Sequence, residues 1–165
     1  EDLGLEVRGE SILLLGAGGA GRVAALKLAA TGVKDLFLIN RTASKAETIA
    51  TEIRQRFPAV NVSVDYPSSE TDLIINATSL GLNDKDPLPL DLQKYSLSKS
   101  RAVYDMIYQP AQTPFLVAAK EAGCKCANGL GMLLHQGAKS LEIWSGQTAP
   151  IEAMRAALKK AIYNG

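Results

Sequence analysis

The chain has 165 residues, 47% hydrophobic and 21% charged, which fits one globular domain and excludes a disordered or low-complexity protein. Eighteen basic and 17 acidic side chains leave a formal charge of +1, so no general attraction draws the chain to nucleic acid or a membrane surface, and any anion site must be local. No apolar run reaches the roughly 18 residues of a membrane span and no signal peptide is visible, so a cytoplasmic protein is expected.

The acidic stretch Glu1 to Glu10 lacks an initiator methionine and leads almost directly into a first apolar segment, as a fragment would. Ser11 to Leu15 predicts a buried strand, and Gly19 to Ala30 a helix ended by Gly32. Leu36 to Ile39 predicts a second strand. Ser44 to Phe57 carries a helical stripe of Ala46, Ile49, Ala50, Ile53 and Phe57, stopped by Pro58. Short strands are expected at Val60 to Val64, Leu73 to Asn76 and Ala102 to Tyr104. A helix opened by Thr113-Pro114 should reach about Ala122. A last strand is expected at Lys125 to Ala127, and two helices from about Leu130 and Pro150. Ser79 to Ser100, broken by Pro87 and Pro89, has no regular pattern. Apolar strands alternating with helices argue for a doubly wound, mainly parallel Rossmann-like α/β sheet with helices on both faces, forming one domain over residues 1–165.

Residues 16–21, Gly-Ala-Gly-Gly-Ala-Gly, match G-x-G-x-x-G between a strand and a helix. In that setting Gly16 turns the chain, Gly18 admits a pyrophosphate to the backbone, and Gly21 lets helix pack on strand. The first-turn N–H groups and the helix dipole supply the positive end. An NAD site usually carries an acidic residue about 20 positions on, for the ribose 2′-hydroxyl. Here the second strand ends in Asn40-Arg41-Thr42, with Lys45 a turn later. The planar fork of Arg41 and the charge of Lys45 suit a 2′-phosphate, so the expected cofactor is NADP. Cys124 and Cys126 read as reduced strand thiols, and a single histidine, His135, leaves no metal site to build.

Three further stretches, "DLIINATSLGL" (72–82), "YDMIYQPAQTPFL" (104–116) and "NGLGMLLHQGAKSLEIWSG" (128–146), join the glycine loop and "NRT" in order. Together they resemble the cofactor-binding, C-terminal domain of shikimate dehydrogenase. The resemblance implies NADP-dependent interconversion of 3-dehydroshikimate and shikimate in aromatic amino-acid biosynthesis. It sets Gly16, Ala17, Gly18, Gly19 and Ala20 on the pyrophosphate, and Asn40, Arg41, Thr42 and Lys45 at the adenosine 2′-phosphate end. Thr78 would lie along the cofactor, and Met106, Gly129 and Met132 would border the nicotinamide. Tyr108 and Gln136 would reach towards the substrate, shikimate or 3-dehydroshikimate. On the residues alone, Met106 and Met132 also fit plain core positions, Tyr108 a packed aromatic, Gln136 a surface amide. His135, about 100° further round its helix, and Asp105 read as structural, Asp105 through a local hydrogen bond.

The family resembles a two-domain enzyme whose N-terminal half holds substrate and a lysine–aspartate pair for proton transfer. No lysine precedes the first strand here, so no catalytic residue is assigned, and the chain alone is expected to be inactive. Other readings are an NAD-using quinate/shikimate dehydrogenase, disfavoured by Arg41 and Lys45, and a glutamyl-tRNA reductase domain, which fits the later stretches poorly. A non-catalytic regulator of the same resemblance, or one domain of a fused enzyme, also stays open. So does oligomeric state, a homodimer included.

Overall fold

Ile12, Leu13, Leu14 and Leu15 are apolar in unbroken succession because both faces of their strand are covered, and each is at most 1% exposed in the computed structural model, which describes residues 2–83 and 85–163. This strand, β1 (Ser11–Leu15), sits inside a six-stranded sheet with β2 (Asp35–Ile39), β3 (Asn61–Ser63), β4 (Thr71–Asn76), β5 (Ser100–Asp105) and β6 (Lys125–Asn128). All neighbours run parallel, in the order β3-β2-β1-β4-β5-β6. That is the doubly wound arrangement expected from the alternation of apolar strands and helices.

Alternate residues of β1 feed two separate cores. Ile12 and Leu14 join the core covered by α1 (Gly19–Thr31) and α2 (Ala43–Arg56), through Ala25, Leu28 and Ala29 and through Ala46, Ile49, Ala50 and Ile53. Leu13 and Leu15 join the opposite core, where α3 (Pro114–Glu121) contributes Phe115, Leu116 and Ala119. The stripe read from the sequence of α2 is the face that is buried, with Phe57 at its C-terminal end half-buried. Two further helices follow β6: α4 (Leu130–Ser145), which buries Gly131, Leu134 and Ala138, and α5 (Ile151–Tyr163), which packs against α4 without burying any residue fully.

Each expected strand and helix is present, with ends shifted by a residue or two. The largest shifts extend β4 back to Thr71 and β5 to Ser100–Asp105. The irregular segment between β4 and β5 is ordered by Tyr95, 2% exposed, whose hydroxyl lies 3.0–3.2 Å from Ser69 O, Thr71 Oγ1 and Lys99 O. Cys126 lies in β6 and Cys124 just before it, both as free thiols. Among the described residues no helix is long and apolar enough to cross a membrane.

The passage from β1 into α1 is tight. Gly16 has φ +106°, and a Cβ there would stand 2.9 Å from the Ala77 carbonyl. A Cβ at Gly21 would run into the carbonyl of Gly16 itself. Gly21→Ala should therefore lower unfolding stability by about 1–3 kcal/mol in urea titration, since the overlap is with backbone that cannot rotate away. Val23→Ala, at a position 67% exposed, should stay within about 0.5 kcal/mol.

Candidate functional site at the strand ends

Chain connections leave the sheet in opposite directions from β1, towards β2 on one side and β4 on the other, so a crevice opens above the carboxyl ends of β1 and β4. The N-terminus of α1 points into it. Gly18, the residue before the helix, has φ −79° and ψ −167°, ordinary extended values open to any side chain. Added Cβ atoms at Gly18 and Gly19 would meet nothing within 4 Å. The fold thus requires glycine at 16 and 21 and leaves space above 18 and 19. No side chain caps α1 and no acidic residue stands in its first turn, so its orphan N–H groups and positive dipole end are available to an anion.

The end of β2 meets this loop through Asn40. Its Oδ1 accepts from Ala17 N–H at 3.0 Å and its Nδ2 donates to Thr42 O at 2.9 Å. Both ends of the amide are thereby engaged within the chain, and Asn40 acts as a strut between the glycine loop and α2. Arg41, Thr42 and Lys45 are exposed around the start of α2, whose first turn lacks an acidic residue and a side-chain cap. The acidic groups nearby are already taken: Glu47 by Arg54 at 2.5 Å, Glu52 by Arg22 at 2.7 Å and Arg56 at 2.8 Å. The Arg56 and Arg22 guanidinium groups hold the Glu52 carboxyl below the usual carboxylate range. Among the described residues, neither Arg41 nor Lys45 has an ion-pair partner.

On the other side of the crevice the strands end in a row of paired polar residues, Asn76, Asp105 and Asn128, in register across β4, β5 and β6. Each accepts from the N–H two residues on: Thr78 at 3.0 Å, Ile107 at 3.1 Å and Leu130 at 3.1 Å. Three Asx turns thus start the three loops of this rim. Asn76 Nδ2 donates to Asp105 Oδ1 at 2.9 Å, and the Thr113 hydroxyl donates to Asp105 Oδ2 at 2.6 Å. Asn76, Asp105 and Thr113 are all fully buried. Burial pushes the Asp105 carboxyl up, partly offset by its donors Thr113, Ile107 and Asn76. Asp105 makes the local hydrogen bond expected of it, from Ile107 N–H, and its further bonds reach Asn76 on the neighbouring strand and Thr113.

Thr78 turns its hydroxyl inward, donating to Asn76 Oδ1 at 2.7 Å and accepting from Leu80 N–H at 3.0 Å. Met106 follows β5, and its N–H donates to Asn76 O at 2.9 Å. Gly129 presses on the Met106 carbonyl so closely that a Cβ would overlap it. Met106 and Gly129 are therefore together. Met132 and Gln136 lie exposed one turn apart on the same side of α4. Tyr108 is half-buried, and its carbonyl accepts from Tyr163 Oη at 2.8 Å, which also accepts from Asn128 Nδ2 at 2.9 Å. His135 lines a cavity of about 270 Å³ with Asp2, Tyr104 and Met132. Sequence reasoning gave no site role to Asn76, Thr113, Asn128 or Tyr163. For the first three a signal existed: a polar residue closing a strand, or opening a helix before proline.

Residues 2–82 match the family model for shikimate/quinate 5-dehydrogenase, and residues 129–159 that for the shikimate 5′-dehydrogenase C-terminal domain. The shikimate dehydrogenase (NADP(+)) of Desulforamulus reducens is 39% identical over 95% of this chain, which spans only 56% of that relative. A crystal structure of a shikimate dehydrogenase in complex with NADP+ superposes with a TM-score of 0.80 at 35% identity, covering 95% of this chain and 56% of that one. The ligand-free 5-ketofructose reductase of a Gluconobacter strain superposes with 0.81 at 36% identity, covering 96% and 58%.

Deleting the shared acceptor of the buried row isolates its structural worth. Asp105→Ala would orphan the Ile107 N–H and the Thr113 hydroxyl and leave the Asn76 amide with Leu80 O alone, and should lower stability by about 3 kcal/mol in denaturant titration. An unchanged midpoint would mean that the network carries no folding energy.

Proposed function

The chain belongs to the shikimate dehydrogenase family, and we propose that it is the half of such an enzyme that binds NADP(H), within a protein that interconverts 3-dehydroshikimate and shikimate. The observation that carries the cofactor choice is the end of β2: Arg41 and Lys45, two cations with no ion-pair partner among the described residues, stand beside an uncapped helix whose first turn holds no carboxylate to repel a phosphate.

The residues present fit the dinucleotide. The space above Gly18 and Gly19 and the open N–H groups of α1 suit a pyrophosphate held from Gly16 to Ala20. Arg41, with Thr42 and Lys45, would hold the 2′-phosphate, while Asn40 keeps the glycine loop against them. Thr78 would lie along the cofactor, Met106, Gly129 and Met132 would border the nicotinamide, and Tyr108 and Gln136 would reach the substrate. When bound, the cofactor supplies or accepts the hydride. Ketone reduction also needs a proton donor within hydrogen-bond reach of the carbonyl oxygen. We give that role to neither Tyr108 nor Gln136 and assign proton transfer and most substrate binding to a partner domain. The chain alone is expected to bind cofactor without oxidising shikimate.

Fluorescence titration should show NADPH bound at least about tenfold more tightly than NADH, since charge-assisted hydrogen bonds to a phosphate contribute about 1.5–3 kcal/mol. Arg41→Ala should remove most of that preference and leave NADH binding nearly unchanged; equal affinities in the unaltered chain would sink the assignment. Gly18→Val should keep its melting temperature, because backbone and space both admit valine, yet lose dinucleotide binding. Retained NADPH affinity in that variant would reduce the loop to a turn.

A further inference from the structure

The loops after β4 and β5 leave the sheet separately, yet both are fastened to one residue at the far end of the second, the N-cap of α3. Thr113, fully buried, begins α3 and accepts from Leu116 N–H at 3.2 Å. Its hydroxyl donates to Asp105 Oδ2 at 2.6 Å, and Asp105 Oδ1 takes both the Ile107 N–H and the Asn76 amide. Asn76 in turn holds Thr78 and Leu80, its Nδ2 donating to Leu80 O at 3.2 Å. Gly81, at φ +112°, brings that loop back against Thr113: a Cβ at Gly81 would lie 3.3 Å from the Thr113 Cβ and 3.4 Å from Ile107 Cδ1. No buried side-chain polar atom among the described residues lacks a partner, so the chain of bonds is closed. A closed, dry polar chain has one geometry, and breaking one member releases the others.

We propose that Thr113 is a positioning residue: through Asp105 and Asn76 it fixes the spacing between the Thr78 loop and the Met106–Tyr108 loop, and so sets the nicotinamide end of the cofactor site without touching the cofactor. The inference rests on the dinucleotide reading above. It differs from a folding role in being one-sided. The adenosine end is built by Gly16 to Ala20 and Asn40 to Lys45, which share no hydrogen bond with this network.

Two ligands separate the ends: NADPH, and adenosine 2′,5′-bisphosphate, which lacks the nicotinamide. Thr113→Val removes the hydroxyl at nearly constant shape. It should weaken NADPH about tenfold and leave the bisphosphate within about twofold, and Thr113→Ser should restore NADPH binding. Should Thr113→Val prove too unstable, Asp105→Asn provides the same comparison. Equal losses for both ligands, or a lower melting temperature with NADPH affinity unchanged, would overturn the positioning role and leave the cofactor assignment standing. Failure of the unaltered chain to bind either ligand would overturn both.

Discussion

The crossing of Gly21 over the Gly16 carbonyl is the contact on which the site depends. A helix that starts so close to the end of its strand aims its first N–H groups along the strand axis, into the crevice where the sheet changes direction. Any side chain at 21 would tilt that helix away. The second constraint is the Asn40 amide, which ties the same loop to the beginning of α2. Two helix N-termini without caps or carboxylates, fixed side by side, make a local cationic surface on a chain whose net charge is only +1. Global charge conceals it, because Glu47 and Glu52 neutralise arginines elsewhere on α1 and α2 and, among the described residues, no carboxylate pairs with Arg41 or Lys45.

The two rims of the crevice are built differently. One is backbone and exposed charge, adaptable and open to solvent. The other is a row of Asx turns in which the buried pair Asn76 and Asp105 is joined by a side-chain hydrogen bond and tied to Thr113. Keeping a carboxylate so deep is unfavourable by itself, and burial raises its pKa, but three donors converge on it. Rigid spacing of the two loops accompanies that arrangement.

Most of the fold could be read from the sequence because the sheet is buried on both faces. Unbroken apolar runs such as Ile12 to Leu15 have no other place in a chain of this size, and helices of periodic pattern such as α2 show their buried stripe directly. The glycine loop was legible for the same reason, since the spacing of its glycines is dictated by the strand–turn–helix passage. Reading stopped where contacts join residues far apart in sequence. Asn40 stands among cationic neighbours, and only the structure reveals that its amide faces inward. Thr113 looks like a helix cap, which it is; its bond to Asp105 and its packing on Gly81 follow from tertiary proximity alone. Tyr163, at the end of an amphipathic helix, carries no sequence signal for the Tyr108 carbonyl it meets.

That last contact has a consequence for motion. Helix α5 buries no residue fully and is held chiefly by α4 and by the Tyr163 hydroxyl, which joins Asn128 to Tyr108. Elements so lightly anchored detach at lower free energy than central strands and exchange their amide hydrogens first. When α5 lifts, the carbonyl of Tyr108 loses its hydrogen-bond donor, while Asn76 and Asp105 keep theirs. Order at the Tyr108 side of the crevice therefore depends on a lightly anchored helix, whereas order at the glycine loop rests on the buried strand β1.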